Sequence, residues 1–454
     1  MRATGWISML VLLGAAHASS GCKSQCGDPE CNFNLVDWSV VQSLSPLPDV
    51  PNDTSNKYAN NDAAAKLGQR LFFDHRYSGP IQVPKAGSNG GYPIPDTRTP
   101  TTSAGQVGCT SCHDPGRFFV DSRSNPNNMS LGSAYTKRNA PSLLNIAYYQ
   151  WHGWAGKQDS LWYQGAIAPE TPTDANGDRC NVAHLLYDYY REDYDSIFET
   201  RLPDSLSSAA PFPKSGCRPK ANPTDPDGPW EKMAAADKNT ILEIMANFGK
   251  AMAAYETKLV SKNAAFDQYV AGDMTAISGD AKNGLKLFIG KAACVDCHNT
   301  PFFSDQSFHN LGVPQTGDNT PATDLGRFGD VPTLLTNPFN AESKFSDDPN
   351  AAHKLDGITE DETDTGKFKT ATLRGISWTP PYMHTGGFAT LWDVVEFYNG
   401  GGFWGKGLGG YSGDKDPRIQ PLNLTAEEIG YIVTFLDTLN GDLPSMELRQ
   451  PLPN

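Results

Sequence analysis

The chain has 454 residues and a formal net charge of −14, with 37 Lys and Arg against 51 Asp and Glu; Gly and Pro are plentiful at 43 and 34. The acidic balance argues against a nucleic-acid partner and fits a soluble protein. The length suggests two or more domains, and beyond the N-terminus no segment is long and apolar enough for a membrane helix.

Residues 1–21 read as a secretory signal. Arg2 precedes an apolar run from Trp6 to Ala16 that is too short to span a bilayer, and Ala16-His17-Ala18 is a small-residue cleavage site. Cys22, after Ser19-Ser20-Gly21, is also a candidate for a lipidated N-terminus, although the large aliphatic residue that usually precedes such a triplet is missing. The expected location is the periplasm, or the outer membrane through a lipid on Cys22. Residues 22–60 form a cysteine-containing extension in which Cys26 and Cys31 can pair. Cys180 and Cys217 flank a Pro-rich stretch and can close it as a disulfide in an oxidising compartment.

Two Cys-x-x-Cys-His motifs follow, Cys109-Thr110-Ser111-Cys112-His113 and Cys294-Val295-Asp296-Cys297-His298. Each reads as a covalent attachment site for haem c, the thiols forming thioethers and the histidine supplying the proximal nitrogen to iron. A redox Cys-x-x-Cys or half a zinc site gives no reason for a histidine after the second cysteine, twice.

The surroundings of the motifs repeat. Gly68-x-x-Leu71-Phe72 precedes the first and Gly284-x-x-Leu287-Phe288 the second; Phe118-Phe119-Val120-Asp121 and Phe302-Phe303-Ser304-Asp305 follow them. This predicts a mostly α fold of two cytochrome-c-like haem domains with long irregular loops, spanning residues 61–260 and 261–454. Ile241, Met245, Phe248, Met252 and Tyr255 fall on one face of a helix starting near Asp237. Thr390 and Asp393 make a capping box, and so do Thr425 and Glu428. The second of these helices carries Ile429, Ile432, Val433 and Leu436 and stops near Gly441. The stretches 201–230 and 310–366 show no period and read as irregular surface segments. In the helix after Thr390, Leu391, Val394 and Tyr398 share a face, so by pattern alone Tyr398 reads as a core tyrosine.

The chain resembles the di-haem cytochrome c peroxidase family, which includes MauG-type enzymes, from roughly Ala65 to Leu439. Besides the two haem motifs, the resemblance rests on Arg138-Asn139-Ala140-Pro141, Trp154-Ala155-Gly156-Lys157, Asp159-Ser160-Leu161-Trp162, Leu373-Arg374 and Pro381-Tyr382-Met383-His384. The family takes the second axial ligand of its C-terminal haem fourteen residues after the histidine of the Pro-Tyr-x-His motif, with Met in ordinary peroxidases and Tyr in MauG-like members. Here that position is Tyr398, so the resemblance implies His298/Tyr398 ligation of iron; Met383 is the competing candidate.

At the first haem, with His113 proximal, the distal histidine of ordinary members has no counterpart between His113 and His152. That implies an open, peroxide-binding iron. Trp154 matches the family's bridging tryptophan and Gln164 the distal glutamine. The distal acid falls on Asp174, where Glu is usual, with Glu170 competing because Pro169 lies one place late. Such a carboxylate can take a proton from bound H₂O₂ and return it to the departing oxygen. The family's Ca²⁺ site implies Asn139, Thr379 and Pro381 as ligands. Charge alone suggests Arg374 and Lys369 for haem propionates.

The implied function is a di-haem enzyme that uses H₂O₂ to reach a high-valent iron state and oxidise an external donor. That donor is either a Trp or Tyr of a partner protein or a small redox protein that makes the chain a detoxifying peroxidase. A non-enzymatic di-haem electron carrier is the alternative of another class.

Overall fold

The structure, a computed structural model, describes residues 33–82, 104–121, 129–220 and 228–453, apart from 318, 349 and 408. The signal segment 1–21 and Cys22, Cys26 and Cys31 lie outside the described residues. The fold is helix-rich with little strand. Helices α1 (Leu35–Ser43), α2 (Asp62–Phe73), α3 (Leu161–Ile167), α4 (Arg179–Ile197), α5 (Pro229–Lys232) and α6 (Ala235–Glu256) are followed by α7 (Ala265–Val270), α8 (Gly279–Ile289), α9 (Gly326–Thr336), α10 (Leu391–Asn399) and α11 (Ala426–Asp437). A two-residue antiparallel ribbon pairs Phe308 with Lys369 and His309 with Phe368.

The repeated glycines explain the repeated architecture. Gly68 on α2 lies against α6 so closely that a Cβ there would meet the Ala251 carbonyl oxygen at 1.9 Å. Gly284 on α8 lies equally close to α11, where a Cβ would meet the Tyr431 oxygen at 1.9 Å. Only glycine lets the backbones approach so far. Leu71 and Phe72, and likewise Leu285 and Phe288, are buried at these crossings. Each haem motif thus follows a helix seated on a long partner helix.

The expected caps form. Thr390 and Asp393 bond reciprocally at the start of α10, and Thr425 and Glu428 do so at the start of α11. The α6 face of Ile241, Met245, Phe248, Met252 and Tyr255 is buried. Helix α11 ends four residues before Gly441, because Thr438 and Leu439 donate to the Phe435 and Leu436 carbonyls and tighten the chain into a turn. Cys180 and Cys217 are joined as a disulfide.

One apolar cluster gathers residues from Tyr58 to Leu259 and adds Leu334, Phe339, Ala341 and Leu355. A second gathers Phe266 to Leu439 and adds Phe33, Trp38, Val41 and Leu44. The two packing units therefore exchange segments, and the start of the described chain packs on the C-terminal one. The reading of 310–366 as irregular surface is corrected here: it contains α9, with Arg327, Val331 and Leu334 buried. Gly326, Gly329 and Pro332 hid that helix, since proline inside a helix removes a donor and glycine weakens it. Its N-terminus is held by Asp324, whose carboxylate accepts from Gly326 N at 2.9 Å.

Candidate functional site

Both motifs fold the same way. Cys109–Ser111 and Cys294–Asp296 each form a single 3₁₀ turn, and His113 N and His298 N each donate 2.9 Å back to the first cysteine's carbonyl. His113 Nδ1 lies 3.1 Å from the Phe119 carbonyl oxygen, and His298 Nδ1 lies 2.7 Å from that of Phe303. A carbonyl can only accept, so Nδ1 carries the proton and Nε2 keeps its lone pair for a metal. Phe119 and Phe303 are fully buried and adopt left-handed φ of 57° and 52°. That conformation is rare for a bulky residue, and it turns each carbonyl toward its histidine.

Burial pushes both imidazoles down, favouring the neutral form that binds iron. Burial pushes the Cys109 and Cys294 thiols up to about 12. Reactive redox cysteines need the opposite shift, so the chemistry of the motifs fits covalent anchoring better than thiol–disulfide exchange.

A cavity of about 290 Å³ opens at the second motif, and Cys294, Cys297, His298 and Tyr398 of α10 are among the residues that line it. Burial, with the nearby Cys294 and Cys297 sulfurs, raises the Tyr398 phenol well above its ordinary value. Met383 also lines this cavity, at φ 66°. His384 beside it is committed elsewhere. It stacks on Phe368 at 3.7 Å between centroids and pairs through Nε2 with Gln315 Nε2 at 2.6 Å; burial pushes it down to about 3.

Asn139, Trp154, Arg374, Thr379 and Pro381 reach the same cavity. The Trp154 indole donates to the Asn139 carbonyl at 2.7 Å, and its ring meets His384 edge-on at 6.4 Å. Asn139 Nδ2 donates to the Pro381 carbonyl at 3.2 Å, and its Oδ1 accepts from Ser130. A Ca²⁺ between Asn139 and Pro381 would need the amide turned so that its oxygen faces the ion.

Arg374 is a correction. Its guanidinium is directed at Asp267, with Nη1 and Nη2 at 2.8 and 2.9 Å from the two carboxylate oxygens, and at the Pro301 and Leu44 carbonyls. With at most one of its five donors left, it is a buried structural ion pair rather than a propionate clamp. Lys369 is buried on the cavity wall, over the Tyr149 ring at 3.2 Å, and its Nζ donates to the Trp151 carbonyl at 2.6 Å.

Cys109, Cys112, His113, Gln164, Glu170 and Asp174 do not line this cavity. Gln164 is half-buried on α3. Glu170 does not serve as a free acid, because both its oxygens receive Arg179, which in turn sits 4.4 Å over the Trp230 ring. Asp174 has no such cation. Burial pushes its carboxyl up to about 6 against the Thr173 hydroxyl and Lys157, which pull it down, and it acts electrostatically on Cys109. The two candidate acids thus sit in different surroundings, Glu170 ion-paired with Arg179 and Asp174 hydrogen-bonded to Thr173.

Sequence reasoning missed Tyr77. Its hydroxyl lies 3.2 Å from Cys109 Sγ and accepts from Cys109 N at 3.1 Å. Tyr77 sits in a loop with no periodic signal, so only the fold reveals that it holds the motif.

The sequence pattern of the di-haem cytochrome c peroxidase family matches residues 62–275. The chain is 32% identical to cytochrome-c peroxidase IdrP1 of Denitromonas iodatirespirans over 420 residues, covering 90% of this chain and 89% of that one. It is 25% identical to the methylamine utilization protein MauG of Methylorubrum extorquens over 446 residues, covering 97% and 96%. Among solved structures, its fold is similar to that of a MauG-like protein associated with microbial copper homeostasis, with TM-score 0.57, 24% identity and 90% and 97% of the chains covered. It is also similar to the diheme peroxidase BthA of Burkholderia thailandensis, with TM-score 0.55, 20% identity and 86% and 89% covered.

Proposed function

The chain belongs to the di-haem cytochrome c peroxidase family, an enzyme family whose cofactor is haem c, and from that premise we propose that it uses H₂O₂ at the His113 side to oxidise an external donor served from the His298/Tyr398 side, in the manner of MauG. The residues fit the cofactor: two anchoring turns, two histidines each held through Nδ1 by a carbonyl, and a cavity walled by the second motif. When bound, haem supplies the iron that cleaves the O–O bond and holds the resulting oxidising equivalents.

The protein's own residues do the rest. Asp174, a carboxylate above about pH 6, takes the proton from H₂O₂ and hands it to the departing oxygen. Gln164, one turn along α3 from the Ser160 cap, is the neutral hydrogen-bonding residue of that pocket. Trp154, fixed by the Asn139 carbonyl, is the aromatic step between the two sites. His113 and His298 are held in one tautomer by Phe119 and Phe303. Lys369 is a buried amine that desolvation pushes towards its neutral form, so what it offers a propionate is a hydrogen-bond donor, and Asn139, Thr379 and Pro381 are the candidate Ca²⁺ ligands. The Cys180–Cys217 disulfide supports an oxidising, extracytoplasmic location, in the periplasm or anchored through Cys22.

The single observation that carries the MauG-like reading is Tyr398, which lines the same cavity as Cys294, Cys297 and His298. A tyrosine oxygen is a more electron-donating ligand than a thioether and favours oxidised iron. The second reading, a peroxidase fed by a small redox protein, is favoured by the relatives of higher identity, which are named cytochrome-c peroxidases. The holoenzyme with H₂O₂ separates them. Oxidation of a Trp or Tyr in a co-exported partner, seen as a mass change on that residue, supports the first. Rapid turnover of a reduced cytochrome c, with no protein modification, overturns it in favour of the second.

A further inference from the structure

Glu256 is the last residue of α6 and only 3% exposed. Its Oε2 is buried without a hydrogen-bond partner, and it forms no ion pair among the described residues. Its neighbour Tyr255 packs on Phe72 with ring centroids 5.2 Å apart, Phe72 meets Phe119 at 6.0 Å, and the Phe119 carbonyl holds His113; the Glu256 carboxyl acts electrostatically on Cys109 of the same motif. Three groups border the same region. Tyr255 is committed to the Leu448 carbonyl, Tyr77 to Cys109, and Asp174 acts on the same sulfur.

The cations on the surrounding helices are spent or solvated. Lys250 pairs with Asp347, Lys258 with Asp62 and Arg70 with Asp193, and Lys66 is exposed. An isolated buried carboxylate is costly, so such a group stays neutral unless something positive appears beside it. Burial alone pushes Glu256 up to about 8.

We propose that Glu256 is the proton store of the first haem site, taking up one proton when the haem anchored at Cys109 gains an electron and releasing it when that electron leaves. Ferric haem carries one more positive charge than ferrous haem, and in a poorly screened core that charge stabilises the carboxylate. Reduction removes it, so the balanced step is ferric iron, one electron, the Glu256 carboxylate and one solvent proton going to ferrous iron and the Glu256 acid. Reduction of H₂O₂ to water consumes two protons with two electrons, and an electron arriving at this site brings one of those protons into the core with it. The inference rests on the family's haem at this motif and not on which donor the enzyme oxidises.

The test is a spectroelectrochemical titration of the holoenzyme from roughly pH 6 to 9, following the first haem by its own band, in the wild type and in Glu256→Gln with both haems attached. The wild-type potential should fall with rising pH by close to one proton per electron over part of that range, and Glu256→Gln should be flat there. Asp174→Asn should keep the slope at the alkaline end, because burial pushes the Asp174 carboxyl up only to about 6. Equal slopes in wild type and Glu256→Gln, or no slope in the wild type, overturn the proposal. If Glu256→Gln does not fold, the wild type decides it: a protonated-carboxyl band from isotope-labelled glutamate must grow on reduction in the infrared difference spectrum, and its absence is equally fatal. Loss of peroxide reactivity in Asp174 variants, with the Glu256 slope intact, would concern only the assignment of Asp174.

Discussion

Asp174→Asn is the sharpest test of the proposed peroxide chemistry. The substitution keeps size and hydrogen bonding to Thr173 Oγ1, 3.0 Å away in the wild type, and removes only the proton acceptor. Loss of a general acid–base residue costs about 10²–10⁴-fold in rate, or roughly 3–5 kcal/mol of barrier. The wild-type pH profile carries a second signature. Because burial raises this carboxyl to about 6, the active carboxylate is the minor form below that pH and the major form above it. The rate of the peroxide-dependent spectral change should therefore rise about tenfold between pH 5 and pH 7 and then level. Stopped-flow mixing with H₂O₂ should show that rise in the wild type and in Asp174→Glu, and a slow, flat profile in Asp174→Asn. Glu170→Gln supplies the control: it breaks a buried ion pair with Arg179 and should lower stability while leaving the pH profile in place. A wild-type-like rate in Asp174→Asn, or a profile in Glu170→Gln that loses its rise, refutes the assignment.

Three further outcomes are expected. Gly284→Ala gains helix propensity but drives a Cβ to 1.9 Å from the Tyr431 oxygen, so it should lose about 1–3 kcal/mol in thermal or denaturant unfolding; equal or higher stability would mean the crossing relaxes freely. Cys180→Ser with Cys217→Ser opens a link of sequence separation 37. It should cost about 4 kcal/mol by loop-closure entropy, measured as a midpoint shift against the wild type without reductant; an unshifted midpoint would show that the disulfide adds nothing. Tyr398→Met should change the low-spin electron paramagnetic resonance signal of the second haem and raise its potential, and an unchanged signal would hand the ligand role to Met383 or another residue.

Much of this molecule was legible because its sequence signals are local. A Cys-x-x-Cys-His turn, a Thr-x-x-Asp or Thr-x-x-Glu box and an apolar stripe on α6 each depend on residues within a few positions, so pattern and structure agree. The repeated Gly-x-x-Leu-Phe was visible as a repeat, but its reason lies in the carbonyls of Ala251 and Tyr431, more than a hundred residues away. Where the sequence misled, the cause was a long-range partner or a local breaker. Arg374 looked free for an anion because nothing nearby in sequence announces Asp267. Glu170 looked as eligible as Asp174 until Arg179 claimed it. Helix α9 was masked by Pro332, and Arg327 and Leu334 are buried on it all the same.

The two halves then pose a physical question: with equal anchors, what makes their sites unequal? The proximal sides give no answer. Each histidine follows the same turn, donates Nδ1 to a left-handed phenylalanine carbonyl and is desolvated in the same direction, so both should offer iron an equally oriented neutral nitrogen. The difference must come from the opposite faces and the outer surroundings. The second half lines its cavity with the Tyr398 phenol, which desolvation holds protonated well above its ordinary range. Around the first, Asp174 and Glu256 are two carboxyls that burial keeps ready to exchange protons at accessible pH. A site flanked by proton acceptors suits peroxide, whose cleavage moves protons with electrons. A site that Tyr398 closed as an oxygen ligand, as proposed above, would suit holding oxidising equivalents until a donor arrives. On that reasoning, exchanging Asp174 for Asn should silence peroxide chemistry while leaving the second haem's spectrum intact, whereas changing Tyr398 should do the reverse to the spectra.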